Sequence, residues 1–163
     1  VPYTGMIIST RESQKSREKA LQLGISQISG ASSTSVGGYV EKETDENKTA
    51  QFDRSDTRTL DEVLNWLLEL GYIPSFCTAC YRQGRTGDRF MPLAKSGAIQ
   101  NCCQPNALLT LKEYLEDYAS KDTKIKGDKV IAAEVKKIPN DKVRETTIDY
   151  LDKIVHGSRD FRF

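Results

Sequence analysis

The stretch Phe76-Cys77-Thr78-Ala79-Cys80-Tyr81-Arg82-Gln83-Gly84-Arg85-Thr86-Gly87-Asp88-Arg89-Phe90, with Cys103-Gln104-Pro105-Asn106-Ala107 further on, decides how this chain is read. Cysteine thiolate is the soft donor that iron–sulfur clusters use, and a C-x-x-C turn lets two sulfurs converge on one centre. Alone, such a pair also suits a redox dithiol or half a zinc site, so the other ligand candidates bear on its meaning. The chain has four Cys and one His. A closed zinc site needs four ligands. Here these are Cys77, Cys80 and the adjacent pair Cys102 and Cys103, or one of that pair with His156. Neighbouring residues rarely aim both side chains at one metal, and His156 lies far downstream. Three spaced thiolates suit three irons of a cubane cluster, which leaves the fourth iron open.

Cations form the second clue, because Arg82, Arg85, Arg89 and Lys95 all fall between the second and third cysteines. Guanidinium groups stabilise an anionic, thiolate-ligated cluster and raise its potential. The alternative is a solvated basic loop or a phosphate or nucleic-acid patch. Pro105 suits a first helical position, with Leu108, Leu111, Leu115 and Tyr118 following on one face. Cys103 then stands just before a helix N-terminus, where partial positive charge favours a thiolate. Cys102 is read as a plain thiol.

Upstream, Thr59 and Glu62 read as an N-cap with its reciprocal partner, ahead of Leu60, Val63, Leu64, Leu67 and Leu68 at helical spacing, and Gly71 stops that helix. Residues 41–56 turn polar and charged without apolar period, as a linker or exposed loop does. Before them, Gly5–Ser9 reads as a strand, Ser13–Leu23 as a helix ended by Gly24, and Ile25–Ser29 as a second strand. Two parallel strands with one crossover cannot cover their own apolar faces, so this unit is expected to complete a barrel supplied by other residues. The expected fold is therefore an α/β remnant, the last βα units of a TIM-type barrel in residues 1–40, followed by a mainly α-helical C-terminal iron–sulfur domain in residues 57–163. Strand ends at the active face of a barrel make Ser9 and Arg11 substrate-binding candidates, Arg11 gripping a carboxylate through two parallel hydrogen bonds; the alternative is a surface arginine on a loop.

Downstream, Asp128–Ile138 and Asp141–His156 read as two helices, parted by Pro139 and ended by Gly157. His156 needs only the helix dipole to explain it. The two Phe of Arg159–Phe163 either dock on the barrel or tuck into the helical domain. Composition is that of a folded soluble chain, 37% hydrophobic and 29% charged with a formal charge of +1. Near-neutral charge argues against nucleic acid as the main partner, no apolar run approaches a membrane span, and unpaired thiols point to a reducing cytoplasm.

The cysteine run, Cys103-Gln104-Pro105-Asn106-Ala107 and Gly5-Met6-Ile7-Ile8-Ser9-Thr10-Arg11-Glu12 with the Gly37-Gly38-Tyr39 turn resemble the radical-SAM tyrosine lyases, specifically the branch that matures FeFe-hydrogenase. The barrel part is shared with the thiazole-pathway tyrosine lyase; the cysteine spacing belongs to the maturase branch. The resemblance spans nearly the whole chain and is strongest from Leu60 to Tyr118. It implies that Cys77, Cys80 and Cys103 hold a 4Fe-4S cluster with one site-differentiated iron, to which a free cysteine attaches an extra iron that collects carbon monoxide and cyanide. It also implies that Arg82, Arg85 and Arg89 stabilise cluster-bound anions, and that the partners are the rest of the barrel, hydrogenase maturation proteins, cysteine and a tyrosine-derived fragment. The family's C-x-x-x-C-x-x-C motif for the SAM-cleaving cluster is not present here. The chain thus reads as a C-terminal fragment of a longer enzyme, one that should cleave neither SAM nor tyrosine by itself, with SAM and the second 4Fe-4S cluster in the missing part.

Overall fold

A computed structural model describes residues 5–33 and 54–163. The expected turn at Gly37-Gly38-Tyr39 and most of the polar stretch 41–56 lie outside the described residues. Two compact units are delimited, Val1–Val63 and Leu64–Phe163.

In the first unit, β1 (Ile7–Ile8), α1 (Gln14–Gln22) and β2 (Gln27–Ile28) follow in the expected order. The strands pair in parallel, Ile7 opposite Gln27 and Ile8 opposite Ile28, which requires the helical crossover between them. Both strands are shorter than their apolar runs suggest, and Met6 and Ile7 are mostly exposed. Ser13 begins α1 by accepting the Ser16 N–H at 3.2 Å.

A buried ionic cluster holds this unit. The Arg17 side chain on α1 is fully buried; its guanidinium donates to Asp56 Oδ2 and to the Ser29 carbonyl. Arg58 closes on the same carboxylate, Nε to Oδ1 at 2.9 Å and Nη2 to Oδ2 at 2.7 Å. The Ser55 and Asp56 N–H groups donate to the Thr10 carbonyl. Asp56, whose polar neighbourhood suggests exposure, is therefore buried, because a fully desolvated arginine needs a charged partner.

Helix α2 (Leu60–Glu69) carries the expected reciprocal cap, and the unit boundary falls inside it. Thr59 N–H donates to Glu62 Oε2 at 2.8 Å, and Glu62 N–H donates to Thr59 Oγ1 at 3.3 Å. The Thr59 backbone and hydroxyl bonds hold the Glu62 carboxyl below its ordinary range. Val63, Leu64, Trp66, Leu67 and Leu68 are buried, so Trp66 joins the apolar stripe. Gly71 ends the helix at φ +80, a conformation open to glycine without side-chain strain, with Tyr72 N–H closing onto the Leu67 carbonyl at 2.9 Å.

The second unit is helical: α3 (Ala79–Arg82), α4 (Phe90–Lys95), α5 (Cys103–Asp117), α6 (Lys121–Glu134) and α7 (Asp141–Val155), with 3-10 turns at Gly87–Arg89, Ala98–Asn101 and Val135–Lys137. α5 is central and packs on both α6 and α7, presenting fully buried Leu108, Leu109 and Leu111, and Leu115. Its start differs from expectation, because Cys103 is already the first helical residue and Pro105 stands third. Proline is tolerated there, since first-turn N–H groups have no intrahelical acceptor. Tyr118 lies past the helix end and is exposed, unlike the leucines it was grouped with.

α6 begins at Lys121, well before the expected Asp128, with Ser120 as its cap. Gly127 sits inside the helix where Leu115 comes so close that a Cβ would stand 2.4 Å from Cδ1. Close helix contact, not chain reversal, is the reason for that glycine. Buried Lys112 ties the same two helices, reaching Glu116 and Asp128 at 2.7 Å each. Burial opposes its charge, yet the hydrogen bonds to Asp128 and Glu116 hold the ammonium above its usual range. Among the described residues no helix is long and apolar enough to cross a membrane.

Candidate metal centre

The C-x-x-C turn is anchored to α5 from its first residue. Phe76 N–H donates to Thr110 Oγ1 at 3.2 Å, and the Phe76 ring stacks on Tyr114 at 5.4 Å. Cys77 Sγ accepts the Ala79 N–H at 3.4 Å, and Ala79 is buried beneath the turn. Cys80 lies in α3, and its carbonyl accepts the Arg85 N–H at 2.8 Å, which folds the basic loop back over the turn. Cys102 and Cys103 open α5. All four cysteines are free and partly buried.

Burial pushes the Cys103 thiol up, the charges of Cys80, Cys77 and Cys102 push it further, and Arg85 alone among the named causes acts against them. The helix N-terminus was expected to favour the Cys103 thiolate. Desolvation and the crowding of the three other sulfurs act in the opposite direction. The same crowding places the four sulfurs within electrostatic reach of one another. Among the described residues no three His, Cys, Asp or Glu side chains converge tightly enough to hold a single metal ion. A cubane cluster gives each thiolate its own iron and so takes ligands standing further apart than those of one ion. Soft donors whose negative charges oppose one another call for cationic metal, so the residues present fit such a cluster.

The three candidate arginines are not equivalent. Arg85 reaches Cys102 Sγ from Nη1 at 3.7 Å and the Phe163 main-chain oxygen from Nη2 at 2.6 Å. Arg82 pairs instead with Asp160, Nη2 to Oδ2 at 2.9 Å, and hydrogen bonds from Arg82 and then Arg162 hold that carboxyl down at about 2. Arg89 is exposed and lies beside Gly84, within the loop. His156 is mostly exposed at the end of α7, with Nδ1 2.8 Å from the Asp152 carbonyl. In the first unit, Ser9 and Arg11 follow β1 and are exposed, and Ser9 Oγ accepts the Arg11 backbone N–H at 3.3 Å.

Sequence reasoning missed Asn106 and Phe163. Asn106 is 2% exposed; its Oδ1 accepts the Phe163 N–H at 2.8 Å and its Nδ2 donates to the Phe163 oxygen at 3.2 Å. The available signal was an amide two positions before a buried leucine run, a polar group that demands a partner if buried. The aromatic rings of Phe161 and Phe163 pack on Tyr150, at 4.3 and 5.8 Å between centroids. Of the two expected placements for these rings, the segment adopts the one within the helical domain.

Residues 1–73 match the Biotin and Thiamin Synthesis associated domain family. Among solved structures, the chain is similar to HydG, described as a maturase of the FeFe-hydrogenase: 54% identity, all of this chain and 35% of that chain covered, and a TM-score of 0.90. The chain thus spans about a third of the length of that protein. No curated protein matches it. The parallel strand–helix–strand unit and the cysteine-bearing helices are those of a radical-SAM-associated C-terminal domain. The chain belongs to the HydG family.

Proposed function

We propose that residues 57–163 form the auxiliary cluster domain of a radical-SAM tyrosine lyase that makes the iron-bound carbon monoxide and cyanide ligands for FeFe-hydrogenase. In this reading residues 1–40 end the catalytic barrel and residues 41–56 join the two. The observation that supports it is that Cys77, Cys80 and Cys102 lie within electrostatic reach of Cys103, with Arg85 donating to Cys102 Sγ at 3.7 Å. Cys77, Cys80 and Cys103 would hold a 4Fe-4S cluster. When bound, that cluster supplies one open iron, the attachment point for the free cysteine that carries an extra iron. Arg85 donates toward the anionic ligands, while Arg82 and Arg89 add positive charge around the loop. Ser9 and Arg11 stand where the substrate carboxylate is gripped, in a barrel completed by other residues of the enzyme. SAM and its cluster bind in that other part, so this stretch by itself cleaves neither SAM nor tyrosine. A reducing cytoplasm suits the free thiols, and hydrogenase maturation proteins receive the product.

A second reading is a closed structural metal site in a docking module. It is favoured by Cys102, whose sulfur is already hydrogen-bonded by Arg85. Anaerobic reconstitution with iron and sulfide, followed by EPR of the reduced chain with and without free cysteine, separates the two. The lyase reading expects a cubane signal that changes on adding cysteine. It also expects iron to be lost in Cys77→Ser, Cys80→Ser and Cys103→Ser but kept in Cys102→Ser and His156→Gln. Metal loss in Cys102→Ser, zinc in place of iron, or a signal indifferent to cysteine would move the assignment to the structural site.

A further inference from the structure

The segment Arg159–Phe163 is bound both to the elements that carry the cysteines and to α7. Arg159 Nε donates to Asp117 Oδ2 at 2.9 Å on α5, and its Nη1 donates to the Ile154 carbonyl at 2.7 Å on α7. Asp160 takes a left-handed backbone at φ +68, which Asp tolerates better than most residues, with its N–H on Glu113 Oε1 at 2.6 Å and its carboxylate on Arg82. Phe161 stacks on Tyr150. Phe163 then bonds in two directions. Its N–H and oxygen meet Asn106, one turn beyond Cys103 on α5, and the same oxygen accepts from Arg85. Arg85 in turn donates its backbone N–H to Cys80. The two halves of the cysteine set, the C-x-x-C turn and the start of α5, are therefore cross-linked through Phe163.

Arg85 has a further property. Its Nη1 faces Cys102 Sγ, its Nη2 is taken by Phe163, and its Nε is buried with no hydrogen-bond partner among the described residues. A buried guanidinium N–H left without an acceptor is costly, unless an acceptor arrives. The rigid fork fixes where that donor points once Nη2 is held.

We propose that Arg159–Phe163 is a positioning strap. It fixes Arg85 through the Phe163 oxygen, so that the guanidinium donates from Nε and Nη1 to the anionic group that the cysteines bind. This rests on the reading of Cys77, Cys80 and Cys103 as cluster ligands. It singles out Arg85 from the three loop arginines, because Arg82 is engaged by the strap's own Asp160 and Arg89 lies exposed beside Gly84. Arg85 acts on the bound group directly; Phe161, Phe163 and Asn106 act through Arg85.

The test uses the full chain reconstituted anaerobically with iron and sulfide, comparing wild type with Arg85→Gln, Arg85→Lys, Phe161→Ala/Phe163→Ala and the triple combination. Iron and sulfide per chain, the midpoint potential from an EPR-monitored titration, and hydrogen exchange of the 159–163 amides in metal-free chain are read together. Arg85→Gln should keep its iron and shift the potential to more negative values, as loss of a hydrogen-bonded cation beside the cluster does. Arg85→Lys should recover only part of the shift, since a point charge lacks the fork. The strap variant should shift the potential in the same direction, and adding Arg85→Gln should add almost nothing. In metal-free chain, Arg85→Gln should speed Phe163 amide exchange about tenfold, the loss of one charge-assisted hydrogen bond. An unchanged potential in iron-loaded Arg85→Gln overturns the proposal, as does an unchanged potential in the strap variant when Arg85→Gln moves it. Failure of the wild type to bind iron defeats the cluster reading instead, and unchanged Phe163 exchange in Arg85→Gln defeats the strap by itself. Should the double phenylalanine variant not fold, the exchange comparison of wild type, Arg85→Gln and Arg85→Lys decides.

Discussion

Gly127→Ala sets helix propensity against packing, and the geometry says which prevails. The new methyl would stand 2.4 Å from Leu115 Cδ1 and 2.7 Å from Cδ2, whereas carbon atoms settle at about 3.5–4.0 Å. Either α5 and α6 part by roughly 1 Å or Leu115 leaves its rotamer. Leu115 is 1% exposed, so it turns into packed neighbours rather than solvent. Alanine gains about 1 kcal/mol over glycine in a helix interior, while overpacking a filled core costs about 1–3 kcal/mol. Two sub-contact distances on one buried side chain point to the upper part of that range, leaving a net loss of about 1–2 kcal/mol. Urea unfolding of the full chain followed by far-UV circular dichroism measures it. Truncating the obstacle supplies the control: the double variant Gly127→Ala/Leu115→Ala should be less destabilised than the sum of the single changes, because the clash is gone. A Gly127→Ala protein as stable as wild type, or more stable, would refute the reasoning by showing that propensity wins and the two helices yield at no cost.

Asp56→Ala should be among the most damaging single changes in the first unit, costing about 3–5 kcal/mol, because it leaves the fully buried Arg17 guanidinium without its carboxylate. A loss under about 1 kcal/mol in urea unfolding would contradict that burial. Acid should loosen the Arg159–Phe163 segment. The Asp160 carboxyl, held at about 2 by hydrogen bonds from Arg82 and Arg162, ordinarily titrates near 3.9 in an unfolded chain. A depressed carboxylate contributes fully above the unfolded value and loses its contribution as pH falls through the folded one. Exchange protection of the segment should thus decline between about pH 4 and pH 2, and Asp160→Asn should flatten that dependence; an identical profile in the variant would count against the pairing.

What could be read in advance follows the range of the interactions. The Thr59–Glu62 cap and the stop at Gly71 each join residues within a few positions, so the neighbours in the chain specify them. The parallel pairing of β1 and β2 was also legible, because a strand, a helical crossover and a strand leave little other choice. Gly127 illustrates the complementary case: glycine is locally a poor helix former, and only the approach of Leu115 from another helix explains its place. Asp56 likewise stands in a polar stretch, and nothing local announces that Arg17 will need it.

By itself the sequence determined the donor chemistry of this protein: the number and spacing of its cysteines, the cations between them, and the helices that bear them. Spacing along a chain is covalent and survives any packing. Tertiary structure alone decided which cation meets the sulfurs and in what state the sulfurs lie. Arg82, Arg85 and Arg89 are alike in composition and neighbourhood, yet Asp160 takes the first and Phe163 turns the second toward Cys102, across 78 residues in both cases. The upward shift of the Cys103 thiol arises in the same way, from burial and from sulfurs brought together by folding. Electrostatic energies depend on distance and solvent exposure, and packing fixes both.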